Sequence, residues 1–63
     1  DLKNDKILID FSEFIDIIKT VKNLRPSRIF FNELNNKLFV SVNYIDGNSE
    51  IFVFYFEWRK HVE

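Results

Sequence analysis

The run at residues 51–58 constrains the fold of this chain more than any other segment. It reads Ile-Phe-Val-Phe-Tyr-Phe-Glu-Trp, so aromatic and aliphatic side chains alternate and both faces of the implied strand are apolar. Such a strand is typical of a position where both faces are covered. A chain of 63 residues is short for covering both faces itself, so the second face indicates contact with another molecule.

An amphipathic helix is predicted before this run, over residues 10–24. Asp10 is the expected N-cap, and Glu13 follows three residues later, which is the acidic form of a capping box. Apolar side chains then recur along one half of the helix cylinder. Pro26 disfavours helical geometry at the preceding residue and ends the element. Because only one half of this helix is apolar, it covers only one surface.

Three strands joined by short turns are predicted after the helix. Asn35 and Asn36 suit a two-residue hairpin turn because Asn tolerates a positive φ. The result is a β-meander in which sequential strands pair with one another. The predicted strands cover residues 28–33, 37–45 and 48–59.

The sequence therefore predicts one small domain of the α+β class. One amphipathic helix packs on one face of a three-stranded antiparallel meander, giving the order αβββ. Residues 7–9 read either as a short first strand, giving βαβββ, or as an apolar lead-in to the helix. Residues 1–6 are predicted to be a loose polar tail, and residues 60–63 a second tail.

Two turns are compatible with the Asp46-Gly47 pair. In a two-residue turn Ile45 lies opposite Asn48, and we favour this turn because Asp-Gly is a strong hairpin signal. The alternative is a three-residue loop that adds Ile45 to the turn and places Gly47 in the left-handed region. That change of one residue moves every side chain of the third strand to the other face.

In the favoured register the uncovered face of the sheet is aromatic. The helix packs on the aliphatic side chains, and the third strand is expected to be an exposed edge. Monomers rarely expose contiguous apolar patches beyond a few hundred Å², so such a face indicates an interface. The predicted partner interface consists of Phe30, Phe39, Phe52, Phe54, Phe56 and Trp58. In the alternative register Phe30 and Phe39 stay uncovered, and the row beside them is Ile51, Val53 and Tyr55.

The sequence offers few groups for catalysis, metal binding or cofactor binding. There is no Cys, and the single histidine is His61, so neither a hydrolytic triad nor a zinc site is expected. Glu13 and Asp16 share a helix face but are explained as a cap partner and a solvated surface. One glycine cannot form a phosphate-binding loop. The chain is predicted to be non-enzymatic, without metal or cofactor.

Charge and hydropathy restrict the location of the chain. A formal net charge of −1 provides no overall field for nucleic acid or for an anionic membrane. The longest apolar run is far shorter than the ~20 residues that a membrane span needs. The absence of Cys is compatible with a reducing cytoplasm. We expect a cytoplasmic protein that makes no membrane contact.

These features predict a protein-interaction module. It self-associates as a homodimer or docks on a target protein, through the aromatic face and the edge of the third strand. Small size and a composition rich in Asn, Ile, Lys and Phe suggest a bacterial or phage regulator or inhibitor. The alternative is a single-stranded nucleic-acid-binding module with Phe30, Phe52 and Phe54 as the stacking platform. It is less favoured because the basic residues collect at opposite ends of the predicted sheet.

Overall fold

The molecule consists of one helix and one four-stranded antiparallel sheet. The computed structural model describes the backbone of residues 2–62 and the side chains of residues 6–59. The strands lie side by side in the order β1-β4-β3-β2. This arrangement confirms the α+β class and the βαβββ order. The elements are β1 (Leu2–Leu8), α1 (Phe11–Asn23), β2 (Arg28–Leu34), β3 (Lys37–Asn43) and β4 (Ser49–Val62).

The prediction of loose tails at the two ends is wrong for the described residues. Strand β1 pairs antiparallel with the second half of β4, from Leu2 opposite Val62 to Leu8 opposite Phe56. Residues 1 and 63 lie outside the described backbone. The segments look like tails because both are polar, and local composition does not show that they pair over a separation of some fifty residues.

Strand β4 is an inner strand, so the prediction of a third-strand edge is wrong for the strand as a whole. Its first half pairs with β3 from Ser49 to Tyr55, and its second half pairs with β1 from Phe56 onward. The two partners lie on opposite sides of β4. The first half therefore keeps one side without a strand partner among the described residues.

Helix α1 begins without the predicted capping box. Asp10 has φ 57° and ψ 43°, and its side chain makes no capping hydrogen bond. The Ile9 N–H still donates to the Tyr55 carbonyl of β4 at 2.8 Å, so the chain must leave the sheet and enter the helix within one residue. A left-handed Asp10 makes that turn, since Asp tolerates this region better than most residues.

The C-terminal end of the helix agrees with the prediction to one residue. Asn23 is its last residue, and Leu24 and Arg25 donate backbone hydrogen bonds back to the last turn. Arg25 has φ 54°, the left-handed conformation that often closes a helix. Pro26 has no N–H, so the chain cannot continue the helical ladder.

The first hairpin is the predicted two-residue turn. Asn35 and Asn36 have φ values of 53° and 62°, and Leu34 lies opposite Lys37. Two consecutive positive φ values define a type I′ turn, whose twist matches that of the flanking strands.

The favoured register of the second hairpin is wrong, and the alternative is observed. The loop has three residues, because the Tyr44 N–H donates to the Asn48 carbonyl at 2.8 Å. Gly47 closes it with φ 91°. The Asp46 carboxylate accepts from the Asn48 backbone N–H at 3.0 Å, which stabilises the longer loop. Val40 consequently lies opposite Phe52, not opposite Val53.

The core lies between α1 and the face of the sheet that carries the even-numbered residues of β4. Phe54 is 5% exposed, and the ring of Phe14 meets it edge-on with centroids 5.1 Å apart. The covered face, as we name it, thus holds phenylalanines where the favoured register placed Val53 and Ile51. The buried hydrophobic residues are Val21, Val40, Val42 and Phe54. Partly buried side chains around it are Leu8, Phe14, Ile17, Ile18, Ile29, Leu38, Tyr44 and Phe52.

Candidate interaction surfaces

The six residues predicted as a partner interface lie on two different faces. Phe30 and Phe39 lie on the face away from the helix, as expected. The four from β4 lie on the covered face, because the three-residue loop reverses that strand. Phe54 is in the core and Phe52 packs against it. The other two, Phe56 and Trp58, lie further along β4.

Phe56 and Trp58 lie under the Lys6 side chain. The Lys6 ammonium is 5.5 Å from the Phe56 ring centroid and 5.3 Å from that of Trp58. It also forms an ion pair with Glu33 of β2. Lys6 therefore spans the covered face beside the two rings, although Trp58 stays 58% exposed.

The opposite face of the sheet carries no helix and mixes exposed apolar side chains with polar and charged ones. Phe39 lies opposite Val53, and Ile51 lies opposite Ser41 in the same ladder. Ile51 is 66% exposed and Tyr55 54% exposed, so this surface is open to solvent. Sequence reasoning found its β4 row only as the alternative register. We name this surface the open face; its apolar residues are Ile7, Phe30, Leu34, Phe39, Ile51, Val53 and Tyr55.

Charged side chains lie at the ends of the open face. The Arg28 guanidinium is 4.7 Å from the Phe30 ring centroid, and the Lys37 ammonium is 5.7 Å from that of Tyr55. Glu57 and Arg59 pair with each other, with Nε to Oε1 at 2.8 Å. The centre of the open face therefore has no charged side chain among the described residues.

A groove runs between α1 and the first half of β4. Two adjoining clefts of about 240 and 310 Å³ share Glu13, Ile17 and Phe52 in their walls. The first cleft also touches Val53 and Tyr55, so it reaches around the strand to its unpaired side. A wider hollow continues past Leu24 to the second hairpin loop. We name this the edge groove, bounded by α1 and residues 49–55.

Tyr44 lies where the edge groove meets that hairpin. Its hydroxyl donates to Glu50 Oε1 at 2.9 Å. This hydrogen bond, followed by burial and the nearby negative charge, raises the pKa of Tyr44 above its ordinary value. The phenol thus stays protonated and holds the carboxylate at the mouth of the groove.

The acidic side chains of α1 line the edge groove. Glu13 and Asp16 face it together with Thr20, whose hydroxyl donates to the Asp16 backbone carbonyl at 3.0 Å. No group of three or more His, Cys, Asp or Glu within that part could hold a metal ion. The side chain of His61 lies outside it. No helix of the described residues is long and apolar enough to cross a membrane.

Comparisons with known proteins provide no further guide to these surfaces. Neither a protein-family model, nor a curated protein, nor a solved structure matches this chain. The function is therefore argued from the open face and the edge groove.

Proposed function

We propose that this chain is a non-enzymatic protein-interaction module that associates with a second copy of itself through the open face. The observation that supports this most directly is the group of exposed apolar side chains on the side of the sheet away from α1. An open face built from three large apolar side chains of β4 and two phenylalanines approaches the few hundred Å² that monomers expose. An antiparallel sheet that leaves one face to solvent normally carries polar side chains there, whereas this face carries exposed Ile51 and Tyr55.

The small core also favours a permanent partner. Only four hydrophobic side chains are buried in the described part of the chain. A domain of about 60 residues is marginal without a disulfide, a metal or an oligomer, and the chain has no Cys. A second copy of the chain is always available as a partner. Contact between the open faces of two copies would bury both of them.

The charge distribution on the open face suits face-to-face contact between copies. Phe39 and Val53 form an uncharged centre, so a second copy brings no like charges together there. Arg28 and Lys37 lie at the ends, where a polar rim around an apolar centre is typical of interfaces. Two sheets stacked about 10 Å apart would form a sandwich with α1 on each outer side.

A matched pair of substitutions tests this proposal. Ile51→Asp places a charge on the open face, while Ile45→Asp makes the same change in the loop, where Ile45 is 81% exposed. Sedimentation velocity at about 10 µM detects association free energies stronger than about −7 kcal/mol. We expect a dimer for the original chain and for Ile45→Asp, and a monomer for Ile51→Asp. A monomeric original chain would contradict the proposal.

The same face provides the second candidate, a single-stranded nucleic-acid site. The observation in its favour is the cation beside each of two rings, Arg28 with Phe30 and Lys37 with Tyr55. Against it, Phe52 and Phe54 belong to the covered face and cannot stack bases. Salt-dependent binding of a labelled single-stranded oligonucleotide, lost in Phe30→Ala, would favour this candidate over self-association.

The biological role we propose is that of a small cytoplasmic regulator or inhibitor from a bacterium or phage. Its support is the size and composition of the chain. The role is compatible with either occupant of the open face.

A further inference from the structure

We propose that the edge groove binds an extended, basic segment of another protein, which adds to the sheet as a strand beside the first half of β4. This site differs from the open face, since it uses the side of the strand and not its surface. It therefore does not depend on self-association.

The first observation is the unpaired side of β4. The Tyr55 carbonyl accepts from Ile9 on the β1 side, whereas the Phe56 N–H donates to Asn36 on the β3 side. Backbone polar groups alternate between the two sides of an antiparallel strand. Those of Ile51 and Val53 therefore point to the β1 side, where the described residues provide no partner.

This unpaired side continues the line of β1. Strand β1 occupies the same side of β4 from Phe56 to Val62 and stops there because the chain turns at Asp10. A strand added along residues 49–55 would span roughly 20 Å and satisfy the free groups of Ile51 and Val53. Unpaired strand edges are a common site of peptide addition.

The second observation is the shape of the groove. Helix α1 forms one wall with Ile17 and Thr20, and Phe52 of β4 forms the floor. Side chains of an added strand alternate between this cleft and the open face. The cleft of about 310 Å³ accommodates one apolar side chain over Phe52.

The charge around the groove decides the occupant. Carboxylates stand on both walls, and Arg25 is the one cation that lines it among the described residues. None of these carboxylates forms a salt bridge with a described Lys or Arg. A segment with Lys or Arg on either side of its apolar residue is complementary to them. The carboxylates are Asp10, Glu13, Asp16, Asp46 and Glu50.

The same charges argue against two other occupants. A second copy that paired its own β4 here would bring two sets of carboxylates together. The phosphates of a nucleic acid would meet the same repulsion. The occupant is therefore a polypeptide of the opposite charge.

A synthetic probe tests strand addition directly. The probe is a blocked, labelled heptapeptide of sequence Thr-Lys-Thr-Val-Thr-Lys-Thr, which places Val and both Lys on one side when extended. Fluorescence anisotropy is measured up to about 1 mM chain, which detects binding free energies near −4 kcal/mol. We expect binding, with amide shifts and new exchange protection at Ile51 and Val53. No binding at this concentration, or shifts confined to the open face, would overturn the proposal.

Two N-methylated peptides separate strand addition from simple charge attraction. One carries N-methyl groups on Lys and Val, the other on Thr. Because alternate amides face β4, one peptide should lose binding and the other keep it. Equal binding by both would mean charge attraction only and overturn the strand model.

A matched pair of double variants locates the charges. Glu13→Gln with Asp16→Asn neutralises two carboxylates of the groove, while Glu33→Gln with Glu57→Gln neutralises two elsewhere. We expect about tenfold weaker peptide binding for the first pair and little change for the second, as two solvated charge contacts suggest. Equal weakening would place the peptide outside the groove. Sedimentation of the same samples measures self-association independently of peptide binding. A failure of the groove proposal can therefore be distinguished from a failure of the self-association proposal.

Discussion

The two faces of β4 differ far less in hydrophobicity than in what covers them. Phe54 is buried under α1, while the neighbouring Val53 and Ile51 point to solvent. Both rows would serve as a core, and the aliphatic row is the one that the favoured register placed there. The observed choice places the phenylalanines under the helix, and larger rings remove more apolar area from water than Val or Ile do. Apolarity alone thus indicates that either face of β4 is suited to burial. The packing of α1 determines which face forms the core.

The largest expected difference in unfolding free energy is between truncating a side chain on the covered face of β4 and truncating one on its open face. Phe54→Ala should cost about 3–5 kcal/mol of unfolding free energy, because it leaves a cavity beside Phe14. Ile51→Ala on the open face should cost less than about 1 kcal/mol in the monomer. Urea unfolding at low chain concentration measures both. Similar losses for the two variants would mean that the faces are not distinct.

A smaller loss of unfolding free energy is expected for substitutions in the second hairpin loop, whose length determines which face of β4 packs under α1. Gly47 has φ 91°, and a Cβ built there meets nothing within 4 Å, so the cost of a side chain is conformational alone. Gly47→Ala should lower the unfolding free energy by about 1–2 kcal/mol. Gly47→Asn should lose less unfolding free energy, since Asn tolerates a positive φ better than Ala does. A Gly47→Ala variant as stable as the original chain would show that this backbone conformation does not restrain the loop.

The smallest effect concerns the two tyrosines, one on each face. Tyr44 on the covered side donates to Glu50, and its pKa is raised by that hydrogen bond. A raised pKa in the folded state stabilises the fold fully below the unfolded value of about 10. That stabilisation is lost as the pH rises through the higher folded value. Ultraviolet titration should show one tyrosine that ionises at an unusually high pH. This high-pH transition should be absent in Tyr44→Phe and present in Tyr55→Phe. Its presence in Tyr44→Phe would exclude the assignment to Tyr44.

The candidate surfaces could be predicted only in part. Phe30 and Phe39 are on the open face in either register, so their exposure followed from the first hairpin alone. The β4 row depended on one residue of loop length, and Asp46-Gly47 is compatible with both lengths. The edge groove could not be foreseen, because it exists only if the pairing of β1 with β4 ends opposite Phe56. Residues 49–55 of β4 then pair with β3 on one side and have no strand on the other. Nothing local to residues 49–55 encodes that arrangement.

Local chemistry was enough to establish the helix, the two-asparagine turn, the meander and the two apolar faces of β4. Each rests on side-chain periodicity or on backbone preferences within a few residues, which are present in the unfolded chain. Tertiary structure decided the register of β4, the pairing of β1 with its second half, the left-handed start of α1 at Asp10 and the groove beside the strand. These depend on burial and hydrogen bonding between segments far apart in sequence, where local alternatives of nearly equal energy are separated only when the whole sheet forms.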